Sequence, residues 1–472
     1  MNNLKHLNTA EKHNNGNLLK KTGIFLFWLI LWQILSSSIN NSIIFVGPAD
    51  VLASLAAQIT TPEFWKTIGL SSFRIFIGFL SAFFCGIMTG CLAFRFSFLD
   101  ELLAPVMLLA KSIPVASFVI LALIWTGSEN LSVFIAFTIV LPMSYTATLS
   151  GLKSTDEKLL EMAFVFRFSF PRKVKAVYFP ALLPYLMTSV RTALGMSFKS
   201  GVAAEVIGVP SHSIGEQLYM AKIYLDTAGL FSWTLVIIAV TFLIENLFLF
   251  FLGSLGKKIT PGQDAGGQKR KICRIDTEVI MELILDNIYK SYGSLPVLSG
   301  VSMKIASPDI CCLMAPSGTG KTTLFRLIMG LEKPDSGTIC PAPEQIRFSA
   351  VFQEDRLIPE FSPLENVALA LPGRPDRPSL FRELARLLPE EAIIRPVSTL
   401  SGGMKRRCAL LRALLAPCDM FIFDEPFTGL DEKTKDRVIR YLLEKTDGRP
   451  VLMSTHDRND AGALGAKILE FN

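Results

Sequence analysis

The first 255 residues are dominated by apolar runs of about twenty residues, near 23–39, 72–94, 102–126, 130–150, 181–206 and 230–252. A run of that length crosses ~30 Å of hydrocarbon as a helix. Inside lipid the backbone has no water to bond to, so each crossing segment must close its own hydrogen bonds. The expected architecture of this half is a bundle of about six membrane helices. It has one fewer if the third run, carrying Pro105 and Pro114, is broken or re-entrant. The shorter "PADVLASLAAQI", 48–59, reads as an interfacial helix. The first run follows a polar, lysine-bearing N-terminus and could be taken for a signal peptide. No small-residue cleavage site follows it cleanly and more spans come after, so it reads as the first membrane helix.

Charge sets the orientation. Loops expected outside (40–67, 127–129, 207–228) hold only Lys66 and Lys222 as basic residues. Segments expected inside hold Lys5, Lys12, Lys20, Lys21, Arg95, Lys153, Lys158, Lys257 and Lys258, and a basic group at Arg167, Arg172, Lys173 and Lys175. This positive-inside distribution places both termini in the cytoplasm of a chain embedded in the cytoplasmic membrane. The formal net charge of +6 is modest, and the basic residues flank apolar segments, which points to a lipid bilayer and not to nucleic acid. The eight cysteines show no metal-ligand or disulfide-framework spacing, which suits small buried thiols in a reducing compartment.

With 472 residues the chain exceeds one compact domain. It divides into a cytoplasmic tail (1–22), a transmembrane part (23–255), a linker (256–281) and a second domain (282–472). The linker, "GKKITPGQDAGGQKRKICRIDTEVIM", is rich in Gly and Lys and reads as flexible and solvated. Beyond it, short β-branched strands alternate with helical patterns, the sign of an α/β fold.

Three motifs in the second domain carry chemistry. The strand-like "DICCLM" runs into "APSGTGKTTLFRLIMG", a glycine-bearing turn that opens a helix. Ser317, Gly318, Thr319, Gly320, Lys321, Thr322 and Thr323 form this loop and helix start. Exposed backbone N–H groups suit a phosphate chain, Lys321 reaches its β and γ groups, and the Thr322 hydroxyl suits Mg²⁺. Ala315 stands where the pattern has its first glycine, and if that position needs positive φ it costs about 1–2 kcal/mol. "CDMFIFDEPFTGLD" is a buried strand ending in two acids, with Asp424 suited to Mg²⁺ and Glu425 to a general base for water. In "LSGGMKRRCALLRAL", Ser401, Gly402 and Gly403 open a helix and offer a second anion site. Taken singly, each has a plainer explanation: a glycine turn, a strand capped by solvated acids, a helix with a serine N-cap.

In this order the motifs resemble the nucleotide-binding domain of ATP-binding cassette (ABC) transporters, over essentially all of 282–472, with "LSGGM" as the family's signature. The resemblance implies a P-loop NTPase fold and ATP hydrolysis with Mg²⁺. It also assigns roles: Tyr292 stacks on adenine, Gln353 in "FQEDRL" senses Mg²⁺, Asp431 in "TGLD" communicates across a dimer, and His456 in "STHD" contacts the γ-phosphate. In this family the phosphate loop of one copy faces the signature motif of another, which implies a homodimer binding two ATP.

The membrane half is similar to type I importer permeases for nitrate, sulfonates, taurine and related solutes, on "LAPVMLLAKSIPVASFVILALIWTG" and on "EMAFVFRFSFPRKVKAVYFP". The latter resembles the importers' cytoplasmic EAA loop, here 157–180, with Glu161 and Ala163 kept and Arg167 near the place of an expected glycine. As a docking element it would offer Met162, Phe164 and Phe166 to a groove on the ATPase, with Pro171 ending its helix. An ordinary positive-inside loop is the plainer account. The whole then reads as a fused half-transporter served by a separate extracytoplasmic solute-binding protein. An exporter is the alternative within the family, and a membrane-tethered regulatory ATPase that moves no solute is the alternative outside transport. Arg191, Lys199 and Glu205 in the fifth run line a polar path, pair with one another or snorkel.

Overall fold

The computed structural model describes residues 20, 22–24, 26–39, 41, 43–259, 281–316, 318–373 and 375–470. Nearly all of the expected N-terminal tail, most of the linker, and Ser317 lie outside the described residues. The chain divides into two units: Met1–Lys153 with Leu182–Ser254, and Ser154–Ala181 with Leu255–Asn472. The segment 154–181, from the middle of the apolar half, therefore belongs with the α/β part.

Helices in the first half run in the order α1 Thr22–Ile39, α2 Pro48–Ile59, α3 Pro62–Arg95, α4 Ser97–Ser112 and α5 Val115–Lys153. Then come α6 Glu157–Val165, α7 Phe170–Lys173, α8 Phe179–Gly208, α9 Ile214–Ile223 and α10 Thr227–Ile259. Among the described residues, α1, α3, α5 and the Thr227–Gly256 part of α10 are long and apolar enough to cross a membrane. α8 is also long but carries Arg191, Lys199 and Glu205. The expected third span, 102–126, is not one helix. α4 stops at Ser112 because Ile113 is extended ahead of Pro114, whose ring disfavours helix in the preceding residue. Pro105, by contrast, sits inside α4. A second break comes at Gly127, whose φ of 73° kinks α5. α2 covers the stretch 48–59 as a helix, and α10 continues past 255 to Ile259.

The first unit is held by close helix packing. Gly78, Ala82, Gly86 and Gly90 recur every fourth residue on α3. A Cβ on Gly78 would lie 2.4 Å from the Val133 carbonyl oxygen, and one on Gly86 2.6 Å from Ser144 Cβ. Small residues let α3 and α5 approach at backbone contact, which in lipid replaces a hydrophobic driving force.

The second unit contains an antiparallel sheet in the order β2-β1-β4 and a parallel sheet in the order β5-β6-β7-β3-β8. The strands are β1 Glu282–Tyr292, β2 Leu295–Ala306, β3 Ile310–Met314, β4 Ser336–Cys340, β5 Phe348–Val351, β6 Met420–Asp424, β7 Val451–Ser454 and β8 Lys467–Glu470. Its helices are α11 Lys321–Ile328, α12 Pro363–Ala370, α13 Arg377–Ala385, α14 Glu390–Ile393, α15 Gly402–Leu415, α16 Glu432–Thr446 and α17 Arg458–Ala463. Every residue of β5, β6 and β7 is buried, as parallel strands covered on both faces require. The loops that follow β3, β5, β6 and β7 leave from one edge, the carboxyl end of the parallel sheet, where open α/β sheets bind ligands.

Candidate functional site

β3 feeds the glycine turn, and α11 starts at Lys321 behind Gly320. Gly320 has φ 93°, and a Cβ there would lie 2.8 Å from Val297 Cγ1, so glycine is required. Ala315 is not among the residues with positive φ, so alanine costs nothing at that place. The buried Lys321 ammonium donates to the carbonyl oxygens of Ala315 and Pro316, the latter at 2.9 Å. The Thr319 hydroxyl donates to the same Pro316 oxygen at 3.0 Å. Gly318, with φ 86°, completes a turn whose backbone N–H groups and helix start suit an anion.

β6 and β7 set the acids. Asp424 Oδ2 accepts from Thr322 Oγ1 at 2.8 Å, and Oδ1 accepts from Ser454 Oγ at 2.6 Å. Ser454 Oγ in turn accepts the Glu425 N–H at 3.0 Å. Glu425 adopts φ 48°, a strained value for a non-glycine residue, and its Oε1 lies 2.7 Å from His456 Nε2. Gln353 follows β5 with an exposed side chain and lines a cavity of about 340 Å³ with Thr322 and Asp424. A hydroxyl, one carboxylate and one amide make a hard oxygen set that fits Mg²⁺, which keeps few protein ligands.

Arg406, which sequence reasoning passed over, ties these loops together. It is buried, and its guanidinium donates to the carbonyl oxygens of Phe352 (2.7 Å), Asp424 (2.6 Å), Glu425 (2.6 Å) and Pro426 (3.2 Å). It also pairs with Asp355 at 3.2 Å. One side chain thus holds the Gln353 loop against the strained Glu425 turn. Replacing Arg406 by Gln should lower kcat by about ten- to a hundredfold through misplacement of Glu425, with KM for ATP within about threefold. Steady-state kinetics on the full chain check this, and equal changes in kcat and KM would count against it.

Tyr292 ends β1, its ring about half exposed, and donates its hydroxyl to Glu332 Oε2. Burial and the Glu332 carboxylate together push that hydroxyl above its ordinary pKa. On the signature side, Ser401 caps α15 by accepting from the Met404 N–H at 3.4 Å. Ser401 and Gly402 are exposed. A Cβ on Gly403 would come 3.2 Å from the Gly429 carbonyl oxygen. Asp431 caps α16 and accepts from the Thr434 N–H and hydroxyl at 3.0 and 2.8 Å, which hold its carboxyl below the usual range. Among the described residues no hydrogen bond joins Ser401 or Gly402 to Lys321, Thr322 or Glu425.

The segment 154–181 is seated in the α/β unit. Asp156 caps α6, and Met162, Ala163 and Val165 are buried in one cluster with Phe325, Ile328 and Phe348. Phe164 does not join them: it is 54% exposed and turned away from that cluster. Phe166 is partly buried, with the Arg412 guanidinium 5.0 Å from its ring centre. Glu161 accepts from Arg326 at 2.9 and 2.6 Å and from Arg356 at 2.6 Å. Neither arginine was singled out in the sequence, since only the fold brings them to Glu161. α6 ends before Pro171 is reached, so Pro171 opens α7 rather than ending α6. Arg172 donates to the carbonyl oxygens of Leu369 and Leu371 at 2.8 and 2.9 Å, at the C-terminal end of α12.

Arg167 makes the bend that a glycine was expected to make. Its φ is 48°, and its guanidinium donates to Glu344 and Ile346 carbonyl oxygens at 2.6 and 2.8 Å. Replacement by alanine keeps the strain and loses both bonds, a cost of about 2 kcal/mol. Replacement by glycine loses the bonds but relieves about 1 kcal/mol of strain. Unfolding midpoints should therefore be highest for the parent chain, lower for Arg167→Gly and lowest for Arg167→Ala. Equal midpoints for the two variants would refute the strain.

In the first unit, Arg191 pairs with Glu245 at 3.3 Å and Lys199 is exposed. Glu205 is fully buried, and its Oε2 accepts from Ser71 Oγ and, at 3.4 Å, from the Gly215 N–H.

Two family models match the chain: "ABC transporter" over residues 298–428 and "Binding-protein-dependent transport system inner membrane component" over 82–259. The spermidine/putrescine import ATP-binding protein PotA of Legionella pneumophila (strain Philadelphia 1) is 36% identical over 200 residues, 39% of this chain and 55% of its own length. The aliphatic sulfonates import ATP-binding protein SsuB 3 of Rhodococcus jostii (strain RHA1) is 38% identical over 199 residues, 39% of this chain and 69% of that protein. The chain thus spans little more than half the length of the first curated relatives it matches. A solved dimeric bacterial ABC transporter cassette is 30% identical, covering 40% of this chain and 94% of that one, with a TM-score of 0.37.

Proposed function

The chain belongs to the ABC transporters, with a permease-type helical half and an ABC ATPase in one polypeptide, and from that premise we propose that it couples ATP hydrolysis to import of a small solute across the cytoplasmic membrane. The observation that carries this proposal is the seating of 154–181 in the ATPase core, pinned by Glu161 on Arg326 and Arg356. A movement of α11 is thereby transferred to a segment whose continuation is α8.

Two copies would pair, so that Ser401, Gly402 and Gly403 of one copy close over the phosphate loop of the other. Gly318, Thr319, Gly320 and Thr323 would cradle the phosphates with Lys321, and Tyr292 would stack on the base. Mg²⁺, held by Thr322 and Asp424 with Gln353, would neutralise charge on the phosphates. Glu425 would take a proton from the attacking water while His456 orients its carboxylate, and Asp431 would act across the pair. ATP binding would bias the bundle toward one face of the membrane and hydrolysis would reset it.

Both termini would face the cytoplasm, and a separate extracytoplasmic protein would deliver the solute. A nitrate-, sulfonate- or taurine-like solute is favoured by the permease resemblance and by a sulfonate-importing relative. The test is the full chain in proteoliposomes with its binding protein, offered sulfonates, taurine and nitrate. Binding-protein-dependent, ATP-driven uptake supports import. Outward movement would indicate an exporter, and hydrolysis with neither stimulation nor solute movement a regulatory ATPase.

A further inference from the structure

Arg326 sits in α11 behind Lys321 and Thr322, but the hydrolysis scheme gives it no task. Its Nη atoms hold both oxygens of Glu161, and its Nε donates to Glu332 Oε1 at 2.5 Å. The other oxygen of Glu332 accepts the Tyr292 hydroxyl. Glu332 lies in the turn after α11, where the Leu331 N–H donates to the Arg326 carbonyl oxygen at 2.9 Å. Its backbone is therefore carried by the same helix as Arg326. The result is an unbroken chain of contacts: Tyr292 hydroxyl, Glu332, Arg326, Glu161.

Every link includes an ionised group, and such bonds are shorter and more directional than neutral ones. Arg326 is shared between two carboxylates, so a shift of either re-aims the other. Lys290 lies 5.7 Å from the Tyr292 ring centre and also binds Asp335, which steadies the ring from its own strand. The Tyr292 ring is thus pre-oriented by a chain that ends on α6. Phosphates would bear on Lys321 and Thr322, at the start of the helix that carries Arg326, whereas a base stacked on Tyr292 would bear directly on the hydroxyl that ends this chain.

We propose that Glu332 is a positioning residue that links recognition of the nucleotide base, as distinct from its phosphates, to the seating of the transmission helix α6. This rests on Tyr292 being the adenine platform. The link is reciprocal by thermodynamic necessity: if the base steadies α6, then loosening α6 weakens binding of the base. Because pre-orientation of the ring is what is lost, a ligand without a base escapes the effect.

The test measures Mg²⁺-ADP and Mg²⁺-pyrophosphate affinities of the full chain in nanodiscs. Glu161→Gln should weaken ADP about fivefold and change pyrophosphate less than about twofold. In a Tyr292→Phe background, which keeps the ring and removes the hydroxyl, Glu161→Gln should shift ADP less than about twofold. Equal shifts for both ligands, no shift for ADP, or a fivefold shift that survives in the Tyr292→Phe background would each overturn the link. Tyr292→Ala separates the premise. If it leaves the ADP-to-pyrophosphate affinity ratio unchanged, Tyr292 is no adenine platform and the proposal falls with it. If it lowers that ratio while ADP binding ignores Glu161→Gln, only the link falls.

Discussion

Glu425→Gln should lower steady-state ATP hydrolysis by about a hundred- to ten-thousandfold while ATP still binds. The carboxylate follows a fully buried strand, and its N–H is fixed by Ser454. Its backbone is held at φ 48°, and Arg406 clasps the carbonyl oxygens around it. Glutamine fills the same space and can still bond His456, so the turn is preserved. What it lacks is an oxygen basic enough to take the proton of an attacking water. Phosphate release and equilibrium nucleotide binding on the same preparation check this. Turnover within about tenfold of the parent would remove Glu425 from the role of base.

Glu161→Ala is expected to uncouple transport from hydrolysis, cutting ATP-driven uptake by more than about tenfold while hydrolysis at saturating ATP persists. Three charge-assisted bonds are lost at once, and the side chain of Arg356, only 8% exposed, keeps only the longer 3.8 Å pairing with Glu354 as a counter-charge. Discounted for the partial exposure of Glu161, the cost is about 2–4 kcal/mol of seating. Uptake and phosphate release in the same vesicles decide the matter, and parallel loss of both would mean a damaged ATPase rather than a broken joint. Burial pushes the Glu161 carboxyl up, but the Arg326 and Arg356 bonds outweigh it and hold it below the usual carboxylate range. A depressed folded pKa stabilises fully above the unfolded value of about 4.3, and the gain is lost as pH falls through the depressed value. Seating of α6 is therefore constant across neutral pH and weakens only in acid, which hydrogen exchange over 157–165 would register.

Motifs that act over a few residues were legible in the sequence. Lys321 and Thr322 open their helix behind Gly320, Asp424 and Glu425 end a buried strand, and Ser401 and Asp431 cap helices. The spacing every fourth residue of Gly78, Ala82, Gly86 and Gly90 was a readable packing signal that hydropathy alone passed over. Hydropathy likewise joined 102–126 into one span, because an apolar average is blind to the backbone constraint of Pro114 and the positive φ of Gly127. Amphipathic docking of α6 was foreseeable. Its facing was not, and Phe164 lies outside the cluster that Met162 and Val165 enter.

By itself, the sequence determined the family, the glycine turn before Lys321, the acids at the strand end and the apolar character of the first half. Each depends on local conformation or on composition over one element. Only the tertiary structure decided which arginines receive Glu161, since Arg326 and Arg356 lie 165 and 195 residues away along the chain. It also decided that Arg406, one basic residue among several on α15, turns inward to bind carbonyl oxygens from two loops. A guanidinium on a long stem can meet solvent, a carboxylate or a carbonyl oxygen equally well in sequence, and the packing around it selects the partner.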